Sequence, residues 1–133
     1  VLKGGLLFAA DLVRAIGVPL TIDYVRAKSY DGDRSQGHVE LKVLPEQPLE
    51  GKHVLFVEDI LDTGRTTAAV LDIARAANAA SVALCALLDK PSRRTAPVCA
   101  DYVGFTIGDD FVVGYGLDYN ERYRELPAVY SLE

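Results

Sequence analysis

Residues 53–67 read His-Val-Leu-Phe-Val-Glu-Asp-Ile-Leu-Asp-Thr-Gly-Arg-Thr-Thr, and the way this stretch folds decides the architecture of the chain. Val54, Leu55, Phe56 and Val57 form a continuous apolar run. It is too short for a helix and rich in β-formers, as expected of a strand covered on both faces. Glu58 and Asp59 stand where that run is expected to end. Asp62, Thr63, Gly64, Arg65, Thr66 and Thr67 then supply a small, hydroxyl-rich turn. From Thr66 onward, Ala69, Val70, Ile73, Ala74 and Ala77 recur at helical spacing.

A strand that enters a helix through such a turn aims unpaired backbone N–H groups, together with the positive end of the helix dipole, at whatever lies above. That is a phosphate site. The hydroxyls of Thr63, Thr66 and Thr67 add donors, and Gly64 lets the backbone come close. The spacing G-x-x-x-x-G-K-[ST] is absent, and so is G-x-G-x-x-G. Carboxylates repel a bare phosphate, so Glu58, Asp59 and Asp62 are expected to face vicinal hydroxyls, a cation, or a proton to be moved. A ribose 5-phosphate satisfies both halves of the turn. Capping the helix alone would not need three acids and three threonines around one glycine.

The 133 residues carry a net charge of −5 with acids and bases interspersed, so no basic stripe is available for a nucleic-acid backbone. Phosphate binding must be local, and an acidic site that takes an anion calls for a divalent cation with hard oxygen ligands, Mg²⁺. A chain of this length makes one domain and buries roughly two thirds of its unfolded surface. No apolar run approaches the roughly 18 residues of a membrane span, and no secretory signal is visible, so a soluble, cytoplasmic protein with no membrane partner is expected. Cys85 and Cys99 form no C-x-x-C pair and read as free thiols in a reducing compartment.

Along the rest of the chain, Val1 to Gly5 reads as the end of a strand followed by a Gly-Gly turn, with Lys3 as a point charge beside it. Leu6, Leu7, Ala10, Leu12, Val13 and Ile16 mark an amphipathic helix stopped by Gly17 and Pro19. Residues 20–28 and 39–44 alternate as strands. Between them, residues 29–38 form either a solvated loop or a lid over a reactive intermediate. Ser81 to Leu88 is a second buried strand, and strand–helix–strand with short connections makes a parallel βαβ unit. Ligands gather beyond the carboxyl ends of such strands, which places Lys90 in the same crevice as Asp59 and Asp62. Residues 100–107 and 128–132 add two further strand candidates.

The segment Val57-Glu58-Asp59-Ile60-Leu61-Asp62-Thr63-Gly64-Arg65-Thr66 resembles the 5-phosphoribosyl 1-diphosphate (PRPP) binding motif of type I phosphoribosyltransferases, in which apolar residues run into two acids and then D-[ST]-G-x-T. Phe111 to Tyr119 with Arg122-Tyr123-Arg124-Glu125-Leu126-Pro127, and Leu87 to Arg94, are similar to the signatures of hypoxanthine-guanine phosphoribosyltransferases, most of all the bacterial ones. The resemblance implies an α/β fold, a mostly parallel twisted sheet flanked by helices, with a small C-terminal hood and a flexible hairpin loop. Members carry an upstream segment that this sequence does not contain, so residues 1–133 are expected to be a single domain truncated at its N-terminus.

The same resemblance assigns roles. Glu58 and Asp59 hold the ribose hydroxyls, directly or through Mg²⁺, and Thr63, Gly64, Arg65 and Thr66 cradle the 5-phosphate beside Asp62. Lys3 and Gly4, which follow a peptide that is cis in some members, and Arg124 bind pyrophosphate. Asp118 is a ligand of a second Mg²⁺, so the metal set is Glu58, Asp59 and Asp118. Lys90 donates to a purine 6-oxo group, Phe111 stacks on the base and Val112 contacts its edge. Ser29 and Tyr30 open the mobile loop, which favours the lid reading. The implied activity is purine salvage, with transfer of 5-phosphoribosyl to hypoxanthine or guanine and Asp62 as the catalytic base, in a homodimer or homotetramer. The alternative is a nucleotide-sensing regulatory domain of the same fold that catalyses nothing.

Overall fold

The structure is a computed structural model that describes residues 2–29, 39–43 and 45–132. Helix α1 (Leu2–Ile16) is followed by the antiparallel pair β1 (Arg26–Ser29) and β2 (Val39–Val43). Strand β3 (His53–Leu61), helix α2 (Arg65–Ala76) and strand β4 (Ser81–Asp89) form the expected βαβ unit. A short 3₁₀ turn at Pro91–Arg93 leads to β5 (Tyr102–Thr106), and β6 (Phe111–Val113) closes on β7 (Tyr130–Leu132). The central sheet is parallel in the order β3-β4-β5, with Phe56 opposite Leu84 and Leu88 opposite Phe105. A parallel sheet with helices packed on it, and a small antiparallel pair at the C-terminal end, is the α/β architecture the sequence implied.

The core lies between α2 and this sheet. Thr67, Val70, Leu71 and Ala74 are buried at the i, i+3, i+4, i+7 spacing of one helix face. From that face Leu71 packs with Leu84 and Ala86 of β4, Leu61 of β3 and Val98. A strand with little exposed surface on either face reads as unbroken apolar sequence, which is why β4, exposed only at Ser81, was legible. Cys85 is buried and Cys99 exposed, and both are free thiols.

Three boundaries differ from the expectation. Strand β3 does not stop at Val57; it runs through Glu58 and Asp59 to Leu61, because β4 continues to pair with it as far as Leu61 opposite Asp89. The two acids are therefore strand residues. Residues 2–5 do not form a strand end and turn; helix α1 begins at Leu2 and includes Lys3, Gly4 and Gly5, and the described residues contain no cis peptide. A side chain at Gly4 would place its Cβ 1.7 Å from Asp59 Oδ2, and one at Gly5 would lie 3.3 Å from the Val57 carbonyl oxygen. The glycines thus let α1 lie directly on β3, a close approach rather than a turn. Strand β1 begins only at Arg26, since the Asp23 carboxylate accepts the N–H groups of Tyr24 (2.7 Å), Glu46 (2.8 Å) and Gln47 (3.1 Å) and holds that stretch out of the ladder. Of the expected lid, residues 29–38, Ser29 is the last residue of β1, and residues 30–38, Tyr30 among them, lie outside the described residues.

Among the described residues no helix is long and apolar enough to cross a membrane. Leu84, 1% exposed, is the test of the core. Leu84→Ala is expected to lower unfolding free energy by about 2–5 kcal/mol, the cost of a Leu-sized cavity. Urea denaturation with an unchanged m-value is the measurement, and a loss below about 1 kcal/mol would place the core elsewhere.

Candidate active site

The site is built on the bend that joins β3 to α2. Gly64 occupies the position before α2 with φ +75°, the left-handed region that favours glycine. A Cβ there would also stand 2.4 Å from Val98 Cγ1 and 2.9 Å from Arg94 Cδ, so the residue is fixed twice, by conformation and by space. No side chain caps α2, which leaves the amides of its first turn without the partner that most helices provide. The Asp62 carboxylate instead accepts the Thr63 N–H at 2.5 Å and so lies along the bend.

The bend is held from beneath through its carbonyl oxygens. Leu61 O accepts the Lys90 N–H at 2.9 Å, and Thr63 O accepts the N–H groups of Thr95 and Ala96, each at 3.0 Å. Arg94 donates from Nε to Asp62 O (2.7 Å), from Nη2 to Leu61 O (3.0 Å) and from Nη1 to Val98 O (2.6 Å), and it pairs with the Asp89 carboxylate. Arg65, expected to help cradle phosphate, donates its Nε to Thr95 Oγ1 at 3.2 Å and belongs to the same support.

On the strand side, Glu58 is 6% exposed, and burial pushes its carboxyl above the usual range, with the charges of Asp59 and Asp62 adding to the effect. Burial also raises Asp59, against which the Arg124 guanidinium acts in the opposite direction. Gly4 of α1 rests on Asp59, and Gly116 rests in turn on Gly4, since a Cβ at Gly116 would lie 2.1 Å from the Gly4 carbonyl oxygen. Lys3 Nζ pairs with Glu121 Oε2 at 3.1 Å; Arg124 Nη2 reaches Asp118 Oδ1 at 2.8 Å and Glu121 Oε2 at 3.4 Å, while Nη1 donates to Gly116 O at 2.7 Å. Lys3, Gly4, Asp59, Asp118 and Arg124 therefore converge, though more than a hundred residues separate the first from the last. Tyr115 donates its hydroxyl to Asp11 of α1 and ties the hood to the helix a second time, lowering the Asp11 carboxyl below its ordinary value.

At the next strand end, Lys90 is 9% exposed and its ammonium donates to the Asp110 carbonyl, immediately before Phe111. Phe111 is 50% exposed and meets Tyr119 edge to face, with centroids 5.6 Å apart and planes at 85°. A half-exposed aromatic ring fixed on one edge leaves a face available for stacking. Val112 follows in β6, opposite Ser131.

Sequence reasoning singled out most of these groups and missed three. Arg94 acts through main-chain carbonyls, for which no spacing rule exists. Glu121 and Tyr115 became visible only when the hood was seen to close on α1. Among the described residues no three His, Cys, Asp or Glu side chains gather closely enough to hold a metal by themselves, so Glu58, Asp59 and Asp118 do not form a preassembled metal site.

A bend rich in amides at the carboxyl edge of a parallel sheet, with acids on its strand and cations brought in from a helix and a hood, has the chemistry that suits an anionic sugar. Residues 1–120 match the family model of the phosphoribosyl transferase domain. The chain is 46% identical over 130 residues to the hypoxanthine-guanine phosphoribosyltransferase of Streptococcus pneumoniae, covering 97% of this chain and 72% of that protein. It is 44% identical over 130 residues to the hypoxanthine phosphoribosyltransferase of Escherichia coli, at 96% and 72% coverage. The crystal structure of a Staphylococcus aureus hypoxanthine phosphoribosyltransferase superposes with a TM-score of 0.95 at 43% identity, over 99% of this chain and 72% of that one. The chain belongs to the phosphoribosyltransferase family, enzymes of the glycosyltransferase class. No observation favours the purely regulatory alternative.

Gly64 is the most exacting position of the bend. Gly64→Ala is expected to destabilise the fold by roughly 1–3 kcal/mol, the cost of a strained left-handed residue, before any clash with Val98 is counted. Thermal and urea unfolding check it, and a variant as stable as the parent would mean that the bend adopts another conformation.

Proposed function

We propose that the protein is a purine salvage enzyme, which transfers the 5-phosphoribosyl group of PRPP to N9 of a 6-oxopurine, hypoxanthine or guanine, and releases pyrophosphate. The observation that carries this reading is the presence in one fold of three features that suit parts of such a ligand: the amides around Gly64, the meeting of Lys3 and Arg124 at Glu121, and Lys90 bound to the carbonyl before the half-exposed Phe111. The relatives so named are 46% and 44% identical to the chain over 130 aligned residues.

In this reading the 5-phosphate lies on the amides and hydroxyls of Thr63, Gly64, Arg65 and Thr66, and the ribose diol faces Glu58 and Asp59. Pyrophosphate lies between Lys3, Gly4 and Arg124. Arg124 Nε is buried with no hydrogen-bond partner among the described residues, which is the expected state of a donor kept for an anion. Lys90 reads the purine 6-oxo group, Phe111 stacks on the ring, and Val112 meets its edge through the backbone.

As the anomeric C–O bond breaks, its electron pair leaves with the pyrophosphate, positive charge develops on the ribose, and N9 forms the new bond to C1′. Lys3 and Arg124 stabilise the departing charge, each such contact contributing about 3 kcal/mol. Asp62, with its carboxylate fixed along the bend, accepts the N7 proton as N9 becomes bonded. Mg²⁺ fits the donors, all of them hard oxygens: such an ion is held by one or two carboxylates together with substrate phosphates, so Glu58 or Asp59 and Asp118 suffice without a ready-made cluster. When bound it would neutralise charge on the diphosphate. The reading also places the whole chain in one catalytic domain, in the cytoplasm, and assembled as a homodimer or homotetramer, for which the exposed Tyr102 and Phe105 of β5 offer apolar surface.

Incubation with PRPP, Mg²⁺ and either hypoxanthine or guanine is expected to release pyrophosphate and form the nucleotide, and absence of product with both bases would refute the function. Asp62→Asn is expected to lower kcat by about 10²–10⁴-fold with KM for PRPP near the parent value. An unchanged kcat would remove Asp62 from the chemistry.

A further inference from the structure

Arg94 lies at the centre of the support beneath the bend and is not one of the groups that face a ligand. The geometry points to Arg94 as a positioning residue that locks the phosphate turn and the base Asp62 to the purine-reading end of β4. The inference rests on the transferase reading above. Its side chain is 15% exposed, and one planar guanidinium meets four acceptors from three parts of the chain. Two are the carbonyls of Leu61 and Asp62, the last residue of β3 and the first of the bend. The third is Val98 O, and the fourth is the carboxylate of Asp89, the residue before Lys90.

The chemistry at these positions suits arginine alone. A guanidinium offers five N–H donors in a fixed plane, whereas an ammonium is a single rotatable point. Arg94 Cδ also lies beneath Gly64, 2.9 Å from where a Cβ would stand, so the aliphatic stem fills the space that the glycine leaves. Through Asp62 O the guanidinium fixes the peptide on which the base is carried. Through Asp89 it fixes the strand end from which Lys90 projects. One side chain that meets only the main chain of Asp62 thus links the position of the proton acceptor to that of Lys90.

Loss of this brace need not unfold the sheet, because Lys90 N, Thr95 N and Ala96 N still bind the same bend. It should let the bend drift, and a displacement near 1 Å costs about a hundredfold in turnover.

The test compares the parent chain with Arg94→Lys and Arg94→Gln. Each is assayed with PRPP, Mg²⁺ and hypoxanthine well below its own melting midpoint, and each is titrated calorimetrically with inosine 5′-monophosphate. Arg94→Lys is expected to lose about a hundredfold in kcat per folded molecule. Its affinity for the nucleotide should fall roughly tenfold, since carbonyls left unpaired beneath the bend no longer hold it in one position. Added guanidinium ion should restore part of the turnover of Arg94→Gln, an effect that a general loss of stability would not show. Turnover and affinity within the parent range in folded Arg94→Lys would overturn the inference, as would a variant with no folded state at any temperature, which would make Arg94 a fold residue only. A parent chain that binds the nucleotide without making it would refute the transferase reading, and the affinities of the variants would still decide the role of Arg94. A parent chain that neither binds nor makes it would refute both.

Discussion

The carbonyl oxygens of Leu61, Asp62 and Thr63 all accept hydrogen bonds from the segment between Lys90 and Ala96, and the site depends on this constraint. A bend whose acceptors are satisfied on one side must turn its amides and its acidic side chain to the other. Gly64 supplies the left-handed residue that completes the reversal, and α2 then begins without a cap of its own. The electropositive end of that helix is kept in place by the β4–β5 connection, so phosphate binding and purine reading share one rigid frame.

Charge is arranged with equal economy. An acidic chain that binds a polyanion needs its cations concentrated, and here they come from the two ends of the sequence. Lys3 arrives on α1 because Gly4 and Gly5 let that helix lie on β3, while Arg124 arrives on the hood because Gly116 lets it sit on Gly4. Glu121 spans both cations, and Lys3 holds the Glu121 carboxyl below its ordinary value, so an incoming diphosphate meets a pair whose spacing is already set. On the strand beside these cations, burial holds the Glu58 and Asp59 carboxyls above their ordinary range.

Much of this was legible in the residues. The run 54–57, the D-T-G-R-T turn and the helical spacing after it carry their own physical signature, and they located the strand, the bend and α2 to within a few residues. The buried strand at 81–88 was equally plain. What misled was Gly4-Gly5: a glycine pair suggests a turn, yet these glycines serve a close helix–strand contact, and nothing in a single chain distinguishes the two uses. The end of β3 was misplaced because acids normally mark a loop, whereas pairing with β4 carries Glu58 and Asp59 into the sheet. Arg94 stood in the Leu87 to Arg94 stretch, but its part in the bend could not be read there, since a side chain that binds main-chain carbonyls leaves no trace in residue spacing.

The most direct test of the account is a crystal structure of the chain grown with inosine 5′-monophosphate and Mg²⁺. The account predicts the 5′-phosphate oxygens about 3 Å from the amide nitrogens of residues 63–66, with the ribose diol facing Glu58 and Asp59. Nucleotide density lodged elsewhere, with those amides untouched, would contradict it.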